Sequence, residues 1–257
     1  MRTLYITRNG LCEPLGQSQV MAYLRGLSRD AIITLITFEK PADSRDTAMM
    51  DRMRVECAAC GIRWLPQKFL ARPSLIAPAY SMFSLFWLCL REVRQGNAQL
   101  IHARSYVPAA VALLINRLKG TPFIFDMRAL WPEELIMAGR LHRGSFLHKR
   151  IVAVERSCLR RAAAVVSLTN AAVDHLKSVY PSELIGQTIT VIPTCADLDR
   201  FVPMAKLAKS ANNGRLEFLS RTQFGLDLSR ASCPLWWIFC FSCCWLKLFL
   251  DLLLEQT

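Results

Sequence analysis

The chain has 257 residues, 53% of them hydrophobic and 20% charged, so it can bury a sizeable core as one large domain or two small ones. Its formal net charge of +12 points to an anionic partner: nucleic acid, a phosphate-bearing substrate or an acidic membrane face. The first apolar run is too short for a signal h-region and turns polar at once, which argues for a reducing compartment and makes the 10 cysteines free thiols rather than a disulfide framework.

In chain order, the pattern predicts a strand over Thr3–Thr7, a loop with Gly10, Pro14 and Gly16, and a helix from Gln17 to Leu27. A strand over Ala31–Phe38 follows, then a helix over Asp43–Cys60 with Ser44 as its cap, and a third strand over Ile62–Leu65. Leu75–Val93 reads as a long helix, Leu100–Ala103 as a strand, and Val107–Leu118 as a helix ended by Gly120. Pro122–Asp126 is a strand and Arg143–Ala164 a helix. Val165–Leu168, Ala171–Val179 and Ile189–Ile192 are a strand, a helix and a last strand. Pro132 with Glu133 and Glu134 is set to open a further helix. Strands spaced by helices imply parallel βαβ units, hence an α/β fold with a doubly wound, mostly parallel, Rossmann-like sheet.

In such a sheet, ligands bind at the carboxyl ends of the strands, so polar residues there are the functional candidates. At the first end, Gly10, Gly16 and Gln17 read either as a ligand loop, with backbone N–H groups and a helix N-terminus facing an anion, or as a plain βα turn. At another, His102 and Arg104 share a side of their strand. His102 is a candidate base or a structural histidine, and Arg104 a candidate anion holder. Asp126 and Arg128 also share a side and either act on a ligand or pair with each other; Trp131 offers a wall for a sugar ring, with Glu134 beside it. Thr169 or Asn170 would cap the next helix.

Several classes are set aside. The glycines after the first strand do not have dinucleotide-fingerprint spacing, and the second strand ends on Glu39 followed by Lys40, which argues against a dinucleotide oxidoreductase. Cys57 and Cys60 lack a second pair at metal spacing, so no metal is expected. Nucleic acid is not favoured, because the basic residues are not interleaved with aromatics in a recognised module. Lys149, Arg156 and Arg160 share one helical face, with Arg150 and Arg161 beside it. That face suits either an acidic membrane surface or plain solvent. The Leu75–Leu90 stretch is too short and proline-interrupted to span a bilayer.

Gly10 to Val20, Ile101 to Ser105, Phe125 to Glu133, Ser167 to Thr169 and Ile192 to Phe201 together resemble the N-terminal half of family 4 glycosyltransferases over roughly residues 1 to 203. The resemblance implies one half of a GT-B enzyme, a nucleotide-sugar donor, a glycan or lipid-linked acceptor, no cofactor, and a cytoplasmic place, peripheral at the inner membrane face. It implies that Gly10, Gly16 and Gln17 face donor phosphates and acceptor. It also implies that His102 and Arg104 lie on the acceptor side, and that Asp126, Arg128, Trp131 and Glu134 line the cleft, with Asp126 and His102 as the catalytic candidates. Some members carry a second histidine where Arg104 stands, which makes anion holding the natural role here.

Beyond residue 203 the family pattern is not followed. Residues 204–257 concentrate Cys233, Cys240, Cys243, Cys244, Trp236, Trp237 and Trp245, and Leu235–Leu254 is apolar apart from Ser242, Lys247 and Asp251. The tail reads as a helical membrane anchor or as the product of a truncated or frameshifted gene, and the break in composition favours truncation.

Overall fold

The computed structural model describes residues 1–69 and 76–194, with side chains left aside at 76–79. The residue-203 boundary, the 204–257 tail and its apolar 235–254 stretch lie outside the described residues. In chain order the elements are β1 (Arg2–Ile6), a π-helical turn (Gly16–Met21) continued by α1 (Ala22–Leu27), β2 (Ile32–Glu39), α2 (Thr47–Ala59), β3 (Arg63–Lys68) and α3 (Ile76–Arg94). Then come β4 (Leu100–Arg104), α4 (Tyr106–Lys119), β5 (Phe123–Asp126), α5 (Trp131–Met137), α6 (Phe146–Arg161), β6 (Ala164–Ser167), α7 (Asn170–Val179) and β7 (Ile189–Val191).

The strands form one parallel sheet in the order β3-β2-β1-β4-β5-β6-β7. This is the expected α/β, doubly wound, Rossmann-like architecture. Both faces are covered, so neighbouring residues of one strand enter different cores. Leu4 and Ile6 join Ile101, Ala103, Phe123 and Phe125 in a core that also takes side chains of α3, α4 and α6. Tyr5 joins Ile33, Leu35, Leu24 and Met53 in a second core against α1 and α2. The order reverses between β1 and β4, and the chain leaves these neighbours toward opposite flanks. A crevice therefore opens at their carboxyl ends.

Local chemistry moves several expected boundaries. Asp46, not Ser44, caps α2, its side chain accepting from Met49 N at 3.0 Å, and Asp43–Arg45 is a separate 3₁₀ turn. The third strand runs past Leu65 through Pro66, which an edge strand tolerates because no further ladder needs the missing N–H. Ser145 caps α6 by accepting from His148 N at 3.2 Å, so that helix starts after Arg143 and ends before Ala164, which is already strand. Gly120 ends α4 at φ 69°, and Thr169 caps α7 through Ala172 N at 3.1 Å.

Glu155 of α6 lies in the larger core, where Tyr106 and Tyr180 each donate a hydroxyl to its carboxyl at 2.6 Å. These bonds tie the start of α4 to α6 and to the end of α7. Burial pushes the Glu155 carboxyl above its ordinary 4.5, against the two hydroxyls. A raised carboxyl holds its proton in the folded state at pH values where the unfolded chain has lost it. Its contribution is therefore most favourable below 4.5 and is lost as pH rises through the folded value. Urea titrations of wild type and Glu155→Gln across that interval should show the stability difference shifting toward the variant as pH rises; a pH-independent difference would refute the assignment.

Candidate functional site

The loop after β1 is organised around a carboxylate from the neighbouring strand. Glu39, 1% exposed, accepts from Leu11 N at 2.7 Å, from Cys12 N at 3.2 Å and from the Thr37 hydroxyl at 2.6 Å. Thr37 in turn accepts from the Trp64 indole N–H at 2.8 Å. A Cβ on Gly10 would sit 2.6 Å from a Glu39 carboxylate oxygen, and one on Gly16 would sit 2.0 Å from Gly10 O and 2.7 Å from Leu11 Cα. Both glycines are thus required by close packing of the loop on itself. Gln17 donates to Cys12 O at 2.9 Å and closes the same turn. Glu39, read from sequence only as an argument against a dinucleotide site, is the centre of this network.

On the α1 side of the sheet, His102, Arg104, Asp126 and Arg128 gather. His102 Nε2 lies 3.4 Å from an Asp126 carboxylate oxygen, and Arg128 reaches the other oxygen at 3.5 Å. The His102 ring lies against Tyr5, with centroids 4.5 Å apart, and edge-on to Tyr23 at 5.9 Å. Arg104 donates to Gln19 at 2.8 Å, and Arg128 donates to the Thr194 hydroxyl at 3.1 Å. His102, Arg104 and Asp126 are buried, whereas Arg128 keeps some exposure. The Tyr5 hydroxyl is buried without a hydrogen-bond partner. Its pKa is raised by burial first and by the Asp126 charge second. The spacing argument thus brought four residues of two neighbouring strand ends to one place, as a mostly buried cluster.

Above the β1/β4 crevice opens a cleft of about 240 Å³ lined by Arg8, Asn9, Phe69, Ser105, Tyr106, Val107 and Trp131. Trp131 is the sequence candidate that lines it, tilted against Tyr106 with ring centroids 5.4 Å apart. Glu134 sits on the exposed first turn of α5 and does not line it. Sequence reasoning missed Arg8 and Asn9, although residues just past the first strand fall under the same strand-end rule; attention went to the glycines instead. Ser105 is the one non-glycine among the described residues with a positive φ, 77°, in a region otherwise almost confined to glycine. It is held there by its N–H on Asp126 O at 2.9 Å and by Ala109 N on its carbonyl at 3.1 Å. A strand that runs into a helix with no loop forces that turn.

The glycosyl transferase 4-like domain model matches residues 17–193, from the turn that closes the first loop to the end of the last strand. The chain belongs to this family. No curated protein matches it. Among solved structures, the glycosyltransferase 4-like chain is similar to sucrose-phosphate synthase from Thermosynechococcus elongatus, at 12% identity over 82% of this chain and 52% of that one, with a TM-score of 0.55. It is also similar to Arabidopsis thaliana UGT89C1 complexed with UDP (12% identity, 82% and 56% covered, TM-score 0.49) and to Anabaena HepE in complex with UDP and glucose (14%, 82% and 50%, 0.47). The likeness to the synthase is one of fold. The family member described here spans about half the length of these structures.

Glu39→Ala would leave Leu11 N, Cys12 N and the Thr37 hydroxyl without an acceptor, at roughly 1–3 kcal/mol for each group that water cannot reach. Chemical denaturation should show a loss of about 3 kcal/mol or more, with Glu39→Gln losing less because one oxygen remains. A loss within the ordinary surface range of about 0.5 kcal/mol would contradict this role.

Proposed function

We propose that the chain is the acceptor-binding half of a glycosyltransferase that moves a sugar from a nucleotide-sugar to a glycan or lipid-linked acceptor in polysaccharide or cell-envelope synthesis. Residues 1–203 would form this half, and residues 204–257 an atypical tail. The observation that carries the reading is a cleft with an aromatic wall at the sheet's switch point, beside a buried histidine–carboxylate–arginine cluster, in a chain of this family.

Under this reading Trp131 is the surface for the acceptor sugar, and Arg104 and Arg128 supply positive charge near the reacting groups. Asp126 and His102 are the catalytic candidates, the carboxylate orienting the imidazole and Arg128 together. Gly10, Gly16 and Gln17 shape the edge that faces donor phosphates, and Glu134 contributes at the rim. A retaining transfer needs little base strength if the leaving oxygen and the attacking hydroxyl meet on one face of the sugar. Its main demand is stabilisation of the departing diphosphate. That task is expected of a second Rossmann-like half, so the chain alone should not turn over. Incubating the 257-residue protein with a panel of nucleotide-sugars and lipid-linked acceptors should give neither transfer nor hydrolysis; sustained turnover would overturn the half-enzyme reading.

A second reading is a non-catalytic, membrane-associated binding domain. It draws on α6, whose Lys149, Arg156 and Arg160 are exposed along one face while Leu159 is buried. Arg156 spends part of its charge on Glu183 at 2.7 Å. Among the described residues no helix is long and apolar enough to cross a membrane. A peripheral attachment by this face at the inner membrane surface would be released by high salt; membrane binding that persists in high salt and in carbonate would exclude it.

A further inference from the structure

Cys57 and Cys60 form a motif that the sugar-handling reading leaves unused, and the fold relates them by more than sequence. Cys57 sits on the last turn of α2, and Cys60 is the residue that ends it. The Cys60 N–H donates to the Cys57 carbonyl at 3.1 Å. Ile62 N returns to the same carbonyl at 2.9 Å, with Gly61 at φ 66° between them. A turn closed three residues apart sets the two α-carbons roughly 5–6 Å from each other with their side chains on one side. That falls inside the range of about 4.4–6.8 Å over which a disulfide closes. Both side chains pack on the smaller core, the one that holds Leu24 and Met53.

The two thiols differ in access. Cys57 is 1% exposed, and burial first, then the charge of Glu56, pushes its thiol up to about 12. Such a thiol is inert by itself. Cys60 is half-buried and reaches the surface beside Arg25 of α1, whose guanidinium pairs with Glu56 and also interacts with the Cys60 sulfur. In thiol–disulfide exchange negative charge passes along the reacting sulfurs, and an adjacent guanidinium stabilises it. Cys12, Cys89 and Cys158 are buried, and none of them has another cysteine within one helical turn in sequence.

We propose that Cys57 and Cys60 are a thiol–disulfide exchange site that takes a low-molecular-weight disulfide, with Cys60 as the attacking sulfur and Cys57 as the resolving one. The Cys60 thiolate attacks one sulfur of that disulfide; a bond forms between them, the original S–S bond breaks and one thiolate leaves. Cys57 then attacks the Cys60 sulfur. The Cys57–Cys60 bond forms, the mixed disulfide breaks, and the Cys57 proton goes to the second departing thiolate. The protein is oxidised by two electrons and the small disulfide is reduced to two thiols. A bond between residues three apart closes no long loop. What it alters is the end of α2 and the Arg25 contact that ties α2 to α1. Reversible exchange of this kind suits a reducing compartment, where disulfides are transient and sense redox state. It goes beyond the acceptor-half reading and does not depend on it.

Trypsin cuts after Arg54 and Arg63, so a single peptide, 55–63, carries both cysteines. The full chain is equilibrated with mixtures of reduced and oxidised glutathione, quenched with acid, alkylated and digested, and the mass of that peptide is read. In wild type it should become unalkylated and two hydrogens lighter as the oxidised fraction rises, and return to the dithiol with dithiothreitol. Cys57→Ser should stop at a glutathione adduct on Cys60. Cys60→Ser should leave Cys57 to react about tenfold more slowly or less than Cys60 does. Cys89 and Cys158 should stay thiols throughout, which assigns the reaction to the folded chain. A wild-type peptide that remains a dithiol, or that halts at the mixed disulfide, overturns the proposal. So does Cys60 joined to a different cysteine, or modification of Cys89 and Cys158 as fast as that of Cys60.

Discussion

The buried carboxylate of Glu39 is the constraint on which the upper edge of the sheet depends. It stands at the end of β2 but serves the loop that leaves β1, taking two backbone N–H groups and one hydroxyl of buried residues. With its oxygens committed in this way, the loop can only fold tightly over itself, and the two glycines are what lets it do so. The folded loop then sets where Arg8 and Asn9 emerge. One wall of the cleft is thus defined by an interaction that itself never faces a ligand.

The opposite wall is set differently. β4 passes into α4 with no connecting segment, and Ser105 absorbs the change of direction in a backbone conformation that costs of order 1–3 kcal/mol. Its N–H rests on the Asp126 carbonyl, and the first residue of α4, Tyr106, is anchored through Glu155 to α6 and Tyr180. The helix start is therefore fixed from below by core packing and from the side by the neighbouring strand. Such over-determination is what lets a strained residue persist.

Much of the fold was legible because periodicity reports burial. Each expected strand and helix of the first 192 residues has a counterpart among the described residues, and the parallel order follows from alternation. Ends were less legible, since they turn on single hydrogen bonds: Ser44 and Asp46 are equally good caps on paper, and only the geometry around Met49 N selects the second. The cluster of His102, Arg104, Asp126 and Arg128 was found because two-residue spacing on adjacent parallel strands brings side chains together. Glu39 was read by its position in a nucleotide-binding pattern, and its actual partners, 27 and 28 residues away, leave no local trace. Arg8 escaped because a lone arginine after a strand carries no pattern, and its place in the cleft is visible only in three dimensions.

The strand β4 has one further property. Its side chains His102 and Arg104 look toward α1, while Ile101 and Ala103 look toward α4, and the reversal at Ser105 carries the chain onto the α4 flank. The ionisable cluster and the open cleft therefore lie on either side of one backbone, and no side chain that lines the cleft belongs to the cluster. A substitution that reshapes the cleft wall thus leaves the contacts within the ionisable cluster in place.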